Sequence, residues 1–443
     1  MNLKATPEQL RAARMIRGQM RPNSEDAFSL CVAVEEITRT ERNHVKNTAL
    51  RAPTKKRLRT ARQAIGAFLA ELLLGSTQTA SMGFSYCPSA HQHRKDSLLD
   101  DTTFRQIKDI WPKLGWLDIQ TGFNDAFASG SERMSSRGFC ARFRPTSKLI
   151  EFCRSFGICS NSIWDHFSPD RRSIPPIAVK KGKTRDQYGR VSRGSMPLPP
   201  SDKLDTETDR VESVNEFISA FDIAPFPTPT FTRIFNNGDQ PNFDYDMGGR
   251  LYDRVPNSYQ SQSSELRQTI TIEGEATVEI DISASHFRIF SGLRGQPLEA
   301  NIDPYCIDGL NRAVAKRTVN LMLTQQRPLE RWPMGFRKEM AEAGIPLPKS
   351  MTASKASQIM IDAYPVLTEV SVANLDWSKL QHIESEILFS AMERLREASD
   401  TPALPVHDSL IVPASKAAIV EETLRDCFKA RANAEPRLKR ECS

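Results

Sequence analysis

The sequence predicts an α+β protein that contains both helices and strands. Helical spacing of apolar residues and strong helix formers mark residues 8–19 and 55–74. Alternation of apolar and polar residues, which is typical of a half-buried strand, marks residues 277–283, and a run of apolar β-formers marks residues 404–412. Because 443 residues can bury more than one core, we expect two or three domains.

The N-terminal part of the chain predicts mainly helices. Residues 1–80 form a helical region that contains no residues indicative of chemistry. Within residues 84–160, the pattern predicts a helix over residues 104–114, a hairpin over residues 116–144, and a second helix that begins after Pro145. We therefore expect a second, separate module after the helical region.

This order of helix, hairpin and helix resembles a winged-helix DNA-binding module. The resemblance implies that the helix over residues 104–113 enters a DNA groove, and that Arg133 and Arg137 in the hairpin contact phosphates. The alternative is a small α+β packing domain that has no role with nucleic acid.

Composition separates this module from the rest of the chain. Residues 161–205 are rich in Pro, Lys, Arg, Ser and Gly and lack an apolar period, so they predict a basic linker, either disordered or extended along the next domain. Residues 206–430 have the composition of a folded domain, and residues 431–443 are interpreted as a tail.

Charge and apolar content limit the class of protein. No run of about 18 apolar residues is present, so no membrane partner is expected. Eight scattered cysteines without a CxxC pair indicate reduced thiols, and we expect a cytoplasmic protein. The net charge of +6 argues only weakly for an anionic partner. Three basic clusters in the N-terminal half are consistent with a nucleic-acid surface, at residues 55–62, 133–154 and 180–193.

The residues that indicate chemistry lie on the two predicted strands and between them. Asp281 and Asp408 each interrupt an apolar strand, where a carboxylate is unfavourable unless something pairs with it. Arg312 and Lys316 are four residues apart and therefore share one helix face. Two carboxylates can bind two Mg²⁺ ions, or Mn²⁺, and the cations can bind a triphosphate, so this set suggests a metal-dependent nucleotide polymerase. Taken singly, each aspartate could be a satisfied core group, and the two cations could form a solvated face.

Four blocks in this order resemble the palm and fingers motifs of family A DNA polymerases and phage-type single-subunit RNA polymerases. The resemblance covers residues 246–428, about half of the chain. The blocks are DMGGRLY at residues 246–252, DISASHFRI at 281–289, RAVAKRTV at 312–319, and QHIESEI at 381–387 followed by VHDS at 406–409. The resemblance implies a right-hand polymerase palm, with an antiparallel sheet and reduced fingers, in a nucleotidyltransferase that binds template, primer and nucleoside triphosphates.

The resemblance also implies a role for each matched residue. Asp281 and Asp408 would be the catalytic residues and the metal ligands. His407 would contact the primer terminus or only support its turn, and both possibilities remain open. The other candidates are Arg312, Lys316, His286 and Asn320 for the nucleotide, and Arg250 and Gln381 for nucleic acid.

Three departures from the family pattern concern sugar and base selection. His286 occupies the position where family A DNA polymerases have a glutamate that excludes the ribose 2′-hydroxyl. Asn320 replaces an aromatic residue, and residues 324–325 are Thr-Gln instead of Tyr-Gly. The sequence therefore leaves the choice between ribonucleotides and deoxyribonucleotides open, although Lys316-Arg317 and the His-Asp-Ser triplet favour the RNA-polymerase branch.

The leading interpretation is a template-dependent polymerase that serves replication or transcription of a bacterial mobile element or phage. One alternative is a non-catalytic replication or regulatory protein that holds DNA with a relic polymerase palm. Another is a winged-helix transcription factor with an unrelated α/β partner domain.

Overall fold

A computed structural model describes residues 5–46, 52–87, 97–128, 134–185 and 191–441. The chain folds into two compact units, of which unit 1 comprises residues 1–175 with 254–257, and unit 2 comprises residues 176–253 with 258–443. Helices and small antiparallel or mixed sheets make up both units, so the predicted α+β class is confirmed. Within these described ranges no helix is both long and apolar enough to cross a membrane.

Unit 1 contains six helices and eight strands in its described residues. The helices are α1 (Pro7–Arg11), α2 (Glu25–Lys46), α3 (Lys55–Ser76), α4 (Asp101–Ile110), α5 (Ser147–Arg154) and α6 (Ile163–His166). The strands are β1 (Arg14–Met15), β2 (Met20–Pro22), β3 (Ser85–Tyr86), β4 (Leu117–Gln120), β5 (Phe123–Ala128), β6 (Met134–Phe139), β7 (Arg142–Pro145) and β8 (Phe167–Pro169).

The core of unit 1 forms around α3. Phe68 of this helix is fully buried, and its ring contacts Phe104, Trp111 and Phe143 at centroid distances of 5.7 to 6.0 Å. The main sheet has the order β1-β3-β7-β4, in which only β1 and β3 are parallel. The helix predicted over residues 55–74 is confirmed, as is the order of helix α4, hairpin β4–β7 and helix α5.

The single helix predicted over residues 8–19 is wrong. Helix α1 ends at Arg11, and the chain continues as the short strands β1 and β2. The buried carboxylate of Glu71 accepts hydrogen bonds from the backbone amides of Arg17 at 2.6 Å and Gln19 at 2.8 Å, and β1 pairs with β3. These tertiary partners hold the backbone extended and outweigh local helix propensity.

Unit 2 contains the remaining elements of the described chain. Its helices are α7 (Lys203–Ser219), α8 (Ser264–Arg267), α9 (Ser285–Leu293), α10 (Arg312–Gln325), α11 (Phe336–Glu342), α12 (Ala353–Ala363), α13 (Trp377–Ser399) and α14 (Ala417–Ala432). Its strands are β9 (Ile177–Lys180), β10 (Thr184–Arg185), β11 (Val191–Ser192), β12 (Ser195–Met196), β13 (Ile223–Ala224), β14 (Phe231–Phe235), β15 (Gly248–Asp253), β16 (Thr271–Ile272), β17 (Glu275–Ser283), β18 (Leu404–Val406), β19 (Ser409–Pro413) and β20 (Arg437–Glu441).

The central sheet of unit 2 is antiparallel and has β17 as its longest strand. Its order is β13-β16-β17-β19-β18, and β20 pairs with β17 as well. Ile280 and Ile282 of β17 are fully buried, whereas Asp281 and Ser283, which alternate with them, are half-buried. The alternation therefore separates a packed face, against which α14 lies, from a more open face that carries Asp281.

Two stretches that the sequence analysis left outside the folded domains contain strands. In the described part of residues 161–205, β9 pairs with β12 and with β14, forming a sheet of order β12-β9-β14-β15. In residues 431–443, β20 pairs with β17 over five positions.

Candidate active site

The structure brings Asp281 and Asp408 together on neighbouring strands. Asp281 lies in β17, and Asp408 is the second residue of the two-residue turn that joins β18 to β19. Asp281 is directly opposite Ser409, and the amide of Ile282 donates a hydrogen bond to the carbonyl oxygen of Asp408 at 3.1 Å. Two residues that are 127 positions apart in the numbering thus belong to one end of an antiparallel pair.

The local electrostatics of this pair favour binding of a cation. Burial raises the pKa of Asp281 to about 6, and the negative charges of Asp408 and Glu441 contribute in the same direction. Lys316 opposes this rise in the pKa of Asp281. Burial also raises the pKa of Asp408, with a further contribution from Glu384. Burial and mutual repulsion make the ionised forms of these two carboxylates unfavourable. A bound divalent cation would stabilise both ionised forms.

The donor set fits a magnesium ion better than a zinc ion. Across the residues that the structure describes, no group of three or more His, Cys, Asp and Glu side chains has an arrangement that could hold a metal. Mg²⁺ commonly uses one or two protein carboxylates and completes its shell with water and substrate phosphate oxygens, whereas zinc sites require three or four protein ligands. The two carboxylates of Asp281 and Asp408 are therefore compatible with a Mg²⁺ site.

Helix α10 presents the predicted nucleotide-binding cations. Arg312 and Lys316 are exposed on one face of this helix, and Asn320 continues the same row in a half-buried position. Lys316 lowers the pKa of Asp281 through its charge, so this cation lies on the side of α10 nearer to β17. Arg312 donates a hydrogen bond from Nε to Oδ2 of Asp303 at 2.7 Å. The local sequence pattern did not predict this pairing of Arg312 with Asp303.

Glu384 on α13 connects two residues that the sequence analysis treated separately. His286 is buried in α9, with its Nε2 atom 3.3 Å from Oε1 of Glu384 and its ring edge-on to Trp377 at 4.1 Å between centroids. Arg250 of β15 donates from Nε to Oε2 of Glu384 at 3.1 Å. Burial alone would raise the pKa of Glu384, but His286 and Arg250 outweigh it and hold that pKa at about 2.

Sequence reasoning missed Glu384, although a signal was present. Glu384 lies on the helix face that also carries Leu380, Ile387 and Leu388, where acids are rarely buried unless they are paired. A similar signal marks Arg233, a cation that stands in the middle of the predominantly apolar strand β14. The pairing itself could not be read from the sequence, because it depends on how β14, β15 and α13 pack.

The remaining nucleic-acid candidates have different surroundings. Gln381 is half-buried and accepts a hydrogen bond from Nδ2 of Asn236 at 3.2 Å. His407 is exposed in the β18–β19 turn, where its φ of 53° is in the left-handed region. In unit 1, Arg137 lies in β6 opposite Asp125 of β5. Arg133 lies outside the described residues.

A buried network of ion pairs surrounds Arg233 of β14. Arg233 is fully buried and its guanidinium contacts the carboxylates of Glu207 and Glu386. Burial alone would raise the pKa of Glu386, but Arg233 and Arg210 outweigh it and hold that pKa at about 2. Gly249, with a φ of 77°, allows this close approach, because a Cβ atom there would lie 3.2 Å from Nη2 of Arg233.

The raised pKa of Asp281 predicts that, in the metal-free protein, the contribution of this carboxyl group to stability falls as the pH rises from about 4 to 7. The carboxyl group titrates at 3.8 in an ordinary aspartate and at about 6 in the fold, so its contribution to stability is complete below pH 4 and is lost as the pH passes 6. Asp281→Asn should therefore raise the free energy of unfolding at pH 7.5 by about 1–2 kcal/mol, a value discounted for partial exposure. Urea denaturation at pH 5 and pH 7.5, with a chelator present, measures this.

Asp426→Asn is the matched control for this experiment, because Asp426 is exposed on α14. This variant should keep the pH dependence of the wild-type protein. Glu384, whose pKa is about 2, does not titrate between pH 5 and 7.5 and does not contribute. The same pH dependence in Asp281→Asn as in the wild type would contradict the assignment.

Comparison with known proteins gives limited information. No family model matches the chain, and no curated protein matches it. Among solved structures, the chain is similar to the POL domain of Pol1 from M. smegmatis in complex with DNA primer-template and dNTP, with 14% sequence identity and a TM-score of 0.28. The match covers 54% of this chain and 50% of that chain, so this chain spans about half the length of the structure it matches. A TM-score this low does not establish a common fold, so the functional interpretation depends on the residues of the site.

Proposed function

We propose that this chain is a template-dependent nucleic-acid polymerase, that is, a nucleotidyltransferase that uses two divalent ions. One observation carries the proposal: Asp281 in β17 and Asp408 in the turn before the paired strand β19 lie at one end of the central sheet of unit 2, and Lys316 lies near enough to affect the ionisation of Asp281. Carboxylates from two strands with a nearby cation are what nucleotidyl transfer requires from a protein.

Each charged group of the site has a distinct task in this reaction. Asp281 and Asp408 would hold Mg²⁺ or Mn²⁺, and ions bound there would activate the attacking hydroxyl group and neutralise charge on the phosphates. Lys316 would bind a phosphate as a point charge. Arg312 would bind phosphate oxygens through its planar guanidinium group.

The residues around the metal pair would contact the nucleic acid and the nucleotide. Arg250, Gln381 and His407 would contact the template and primer strands. His286 would lie beside the sugar of the incoming nucleotide, held by Glu384, and Asn320 would lie near its base. In this interpretation the sheet around β17 is a polymerase palm, α10 to α12 are reduced fingers, and the biological setting is replication or transcription of a bacterial mobile element or phage.

An extension assay tests the proposal. The purified chain is incubated with Mg²⁺ or Mn²⁺, with all four ribo- or deoxyribonucleotides, and with primed or unprimed DNA and RNA strands. We expect a product whose length and composition follow the template in at least one combination. A protein that binds primer–template but incorporates no nucleotide in any combination would overturn the proposal and support the alternative of a relic palm.

We propose a second function for unit 1, which is duplex DNA binding by a winged-helix module. The supporting observation is its strand order β3-β7-β4, with α4 immediately before β4 and with the β5–β6 hairpin extending the connection to β7. Arg105 and Lys113, on α4 and just after it, are exposed and would contact phosphates along the groove.

We expect the double substitution Arg105→Ala and Lys113→Ala to weaken duplex binding about 10-fold or more and to reduce the salt slope of log K by about 2. The reason is the loss of two phosphate contacts, each of which releases counterions on binding. Fluorescence anisotropy with a labelled duplex at several salt concentrations measures both quantities. Arg172→Ala, at another exposed position of unit 1, is the control. If the double variant binds like this control, unit 1 is a packing domain.

A further inference from the structure

Strand β20 adds a second row of side chains beside the catalytic strand. In its pairing with β17, Lys439 is opposite Asp281, Arg437 is opposite Ser283, and Glu441 is opposite Glu279. Directly opposed residues of an antiparallel pair project from the same face of the sheet. Arg437 and Lys439 therefore stand on the face that carries Asp281.

The other residues of β20 lie on the opposite face. Leu438 and Arg440 are opposite Ile282 and Ile280, which are fully buried. Arg440 donates from Nε to Oε1 of Glu421 on α14 at 2.6 Å. The strand thus divides its basic residues between the catalytic face and the packed face, and this division provides a matched control within one strand.

Arg437 and Arg312 of α10 lie beside the same carboxylate, that of Asp303. Its Nη1 atom lies 3.9 Å from Oδ2 of Asp303, the same oxygen that accepts the 2.7 Å hydrogen bond from Arg312. The side chains of Arg437 and Arg312 are 40% and 55% exposed, so each guanidinium group can bind a further anion. Asp303 therefore has guanidinium groups from two different elements as neighbours, of which Arg312 is hydrogen-bonded to it.

The charge balance on this face is positive. Lys439 forms an ion pair with Glu441 at 3.0 Å, and Asp303 is shared between two arginines. With Lys316 included, the four cations of α10 and β20 exceed these two carboxylates. Asp281 and Asp408 are not included in this balance, because bound divalent ions would neutralise them. The surplus suits a ligand with several negative charges, such as a polyphosphate.

We propose that β20 forms part of the triphosphate-binding surface, with Arg437, and next to it Lys439, binding phosphates together with Arg312 and Lys316. The inference depends on the proposed polymerase function for the identity of its ligand. Arg437 is a binding residue that the motif resemblance does not include, because β20 follows the last matched block. Asp303 is a positioning residue, since it accepts a hydrogen bond from Arg312 and its charge lies beside Arg437.

Steady-state incorporation of a single nucleotide tests this inference. Arg437→Ala should raise the KM for the nucleotide about 10-fold or more and change kcat less than about 3-fold, because it removes binding shared by substrate and transition state. Arg437→Lys should recover part of the affinity, since it keeps the charge but loses the planar fork. Arg440→Ala is the matched control and should keep the wild-type KM. Equal KM values for Arg437→Ala and Arg440→Ala would overturn the inference.

Binding of inorganic tripolyphosphate in the presence of Mg²⁺, measured by calorimetry, separates this inference from the proposed function. A wild-type protein that binds tripolyphosphate but incorporates nothing would overturn the polymerase proposal. Loss of that binding in Arg437→Ala would still support the phosphate site on β20, and unchanged binding would overturn it. Thermal melting of both alanine variants verifies that each remains folded.

Discussion

Asp281→Asn and Asp408→Asn are each expected to lower the rate of nucleotide incorporation by at least about 10³-fold. Asparagine has nearly the same shape as aspartate but no charge, so each variant keeps the strand pairing and loses half of the anionic ligand set. Because burial raises the pKa of both carboxyl groups, neutralising either one should not destabilise the fold. Single-turnover extension of a labelled primer at saturating Mg²⁺ measures the effect.

Two further measurements distinguish a catalytic defect from a loss of nucleic-acid binding. Both variants should bind primer–template with the affinity of the wild-type protein, as measured by fluorescence anisotropy, because the cations that contact phosphates are unchanged. Asp426→Asn, which makes the same substitution at an exposed position of α14, should retain full activity. Wild-type activity in either Asp281→Asn or Asp408→Asn would refute the catalytic assignment.

Arg233→Met is expected to reduce the free energy of unfolding by about 3–5 kcal/mol at pH 7.5. The side chain of Arg233 is fully buried, and its removal leaves Glu207 and Glu386 without their main cation. Burial, which Arg233 now opposes, would then raise the pKa of Glu386. Because an unpaired buried carboxylate can relax by taking up a proton, the destabilisation should be smaller at pH 5 than at pH 7.5. Urea denaturation at both pH values measures this.

Arg431→Met is the matched control. Arg431 also contacts the carboxylate of Glu386, at 2.9 Å, but its side chain is 46% exposed. Its loss should cost about 1 kcal/mol or less, as is usual for ion pairs open to water. Adding Glu207→Gln and Glu386→Gln to Arg233→Met should restore part of the stability. If Arg233→Met and Arg431→Met unfold at the same urea concentration, the buried network does not stabilise unit 2.

The parts of the site that follow from local pattern were predictable from the sequence. The alternation around Asp281 defines a strand with one packed face, and the segment 404–412 has the β-formers of a strand interrupted by His407-Asp408. The structure confirms the first strand as β17, and it divides the second segment into β18 and β19, of which β19 pairs with β17. The spacing of Arg312 and Lys316 predicted a shared helix face, and both residues are exposed on α10.

The parts that depend on distant partners were not predictable. Glu384 meets Arg250 across 134 positions of sequence, and no local pattern specifies that pair. Strand β20 has four charged residues out of five, a composition typical of a solvated tail. It becomes a strand because the edge of β17 offers unpaired backbone groups, and an exposed strand edge of this kind binds another strand readily.

The most direct test of the proposed site is to determine where Fe²⁺ cleaves the chain. Fe²⁺ that replaces Mg²⁺ generates hydroxyl radicals in the presence of ascorbate and peroxide, and these radicals cut the backbone close to the bound ion. The assay needs neither template nor nucleotide. We predict cleavage within β17 around Asp281 and at the β18–β19 turn around Asp408, suppression by excess Mg²⁺, and loss of both cuts in Asp408→Asn. Cleavage elsewhere, or the same cleavage in Asp408→Asn as in the wild type, would contradict a metal site formed by these two aspartates.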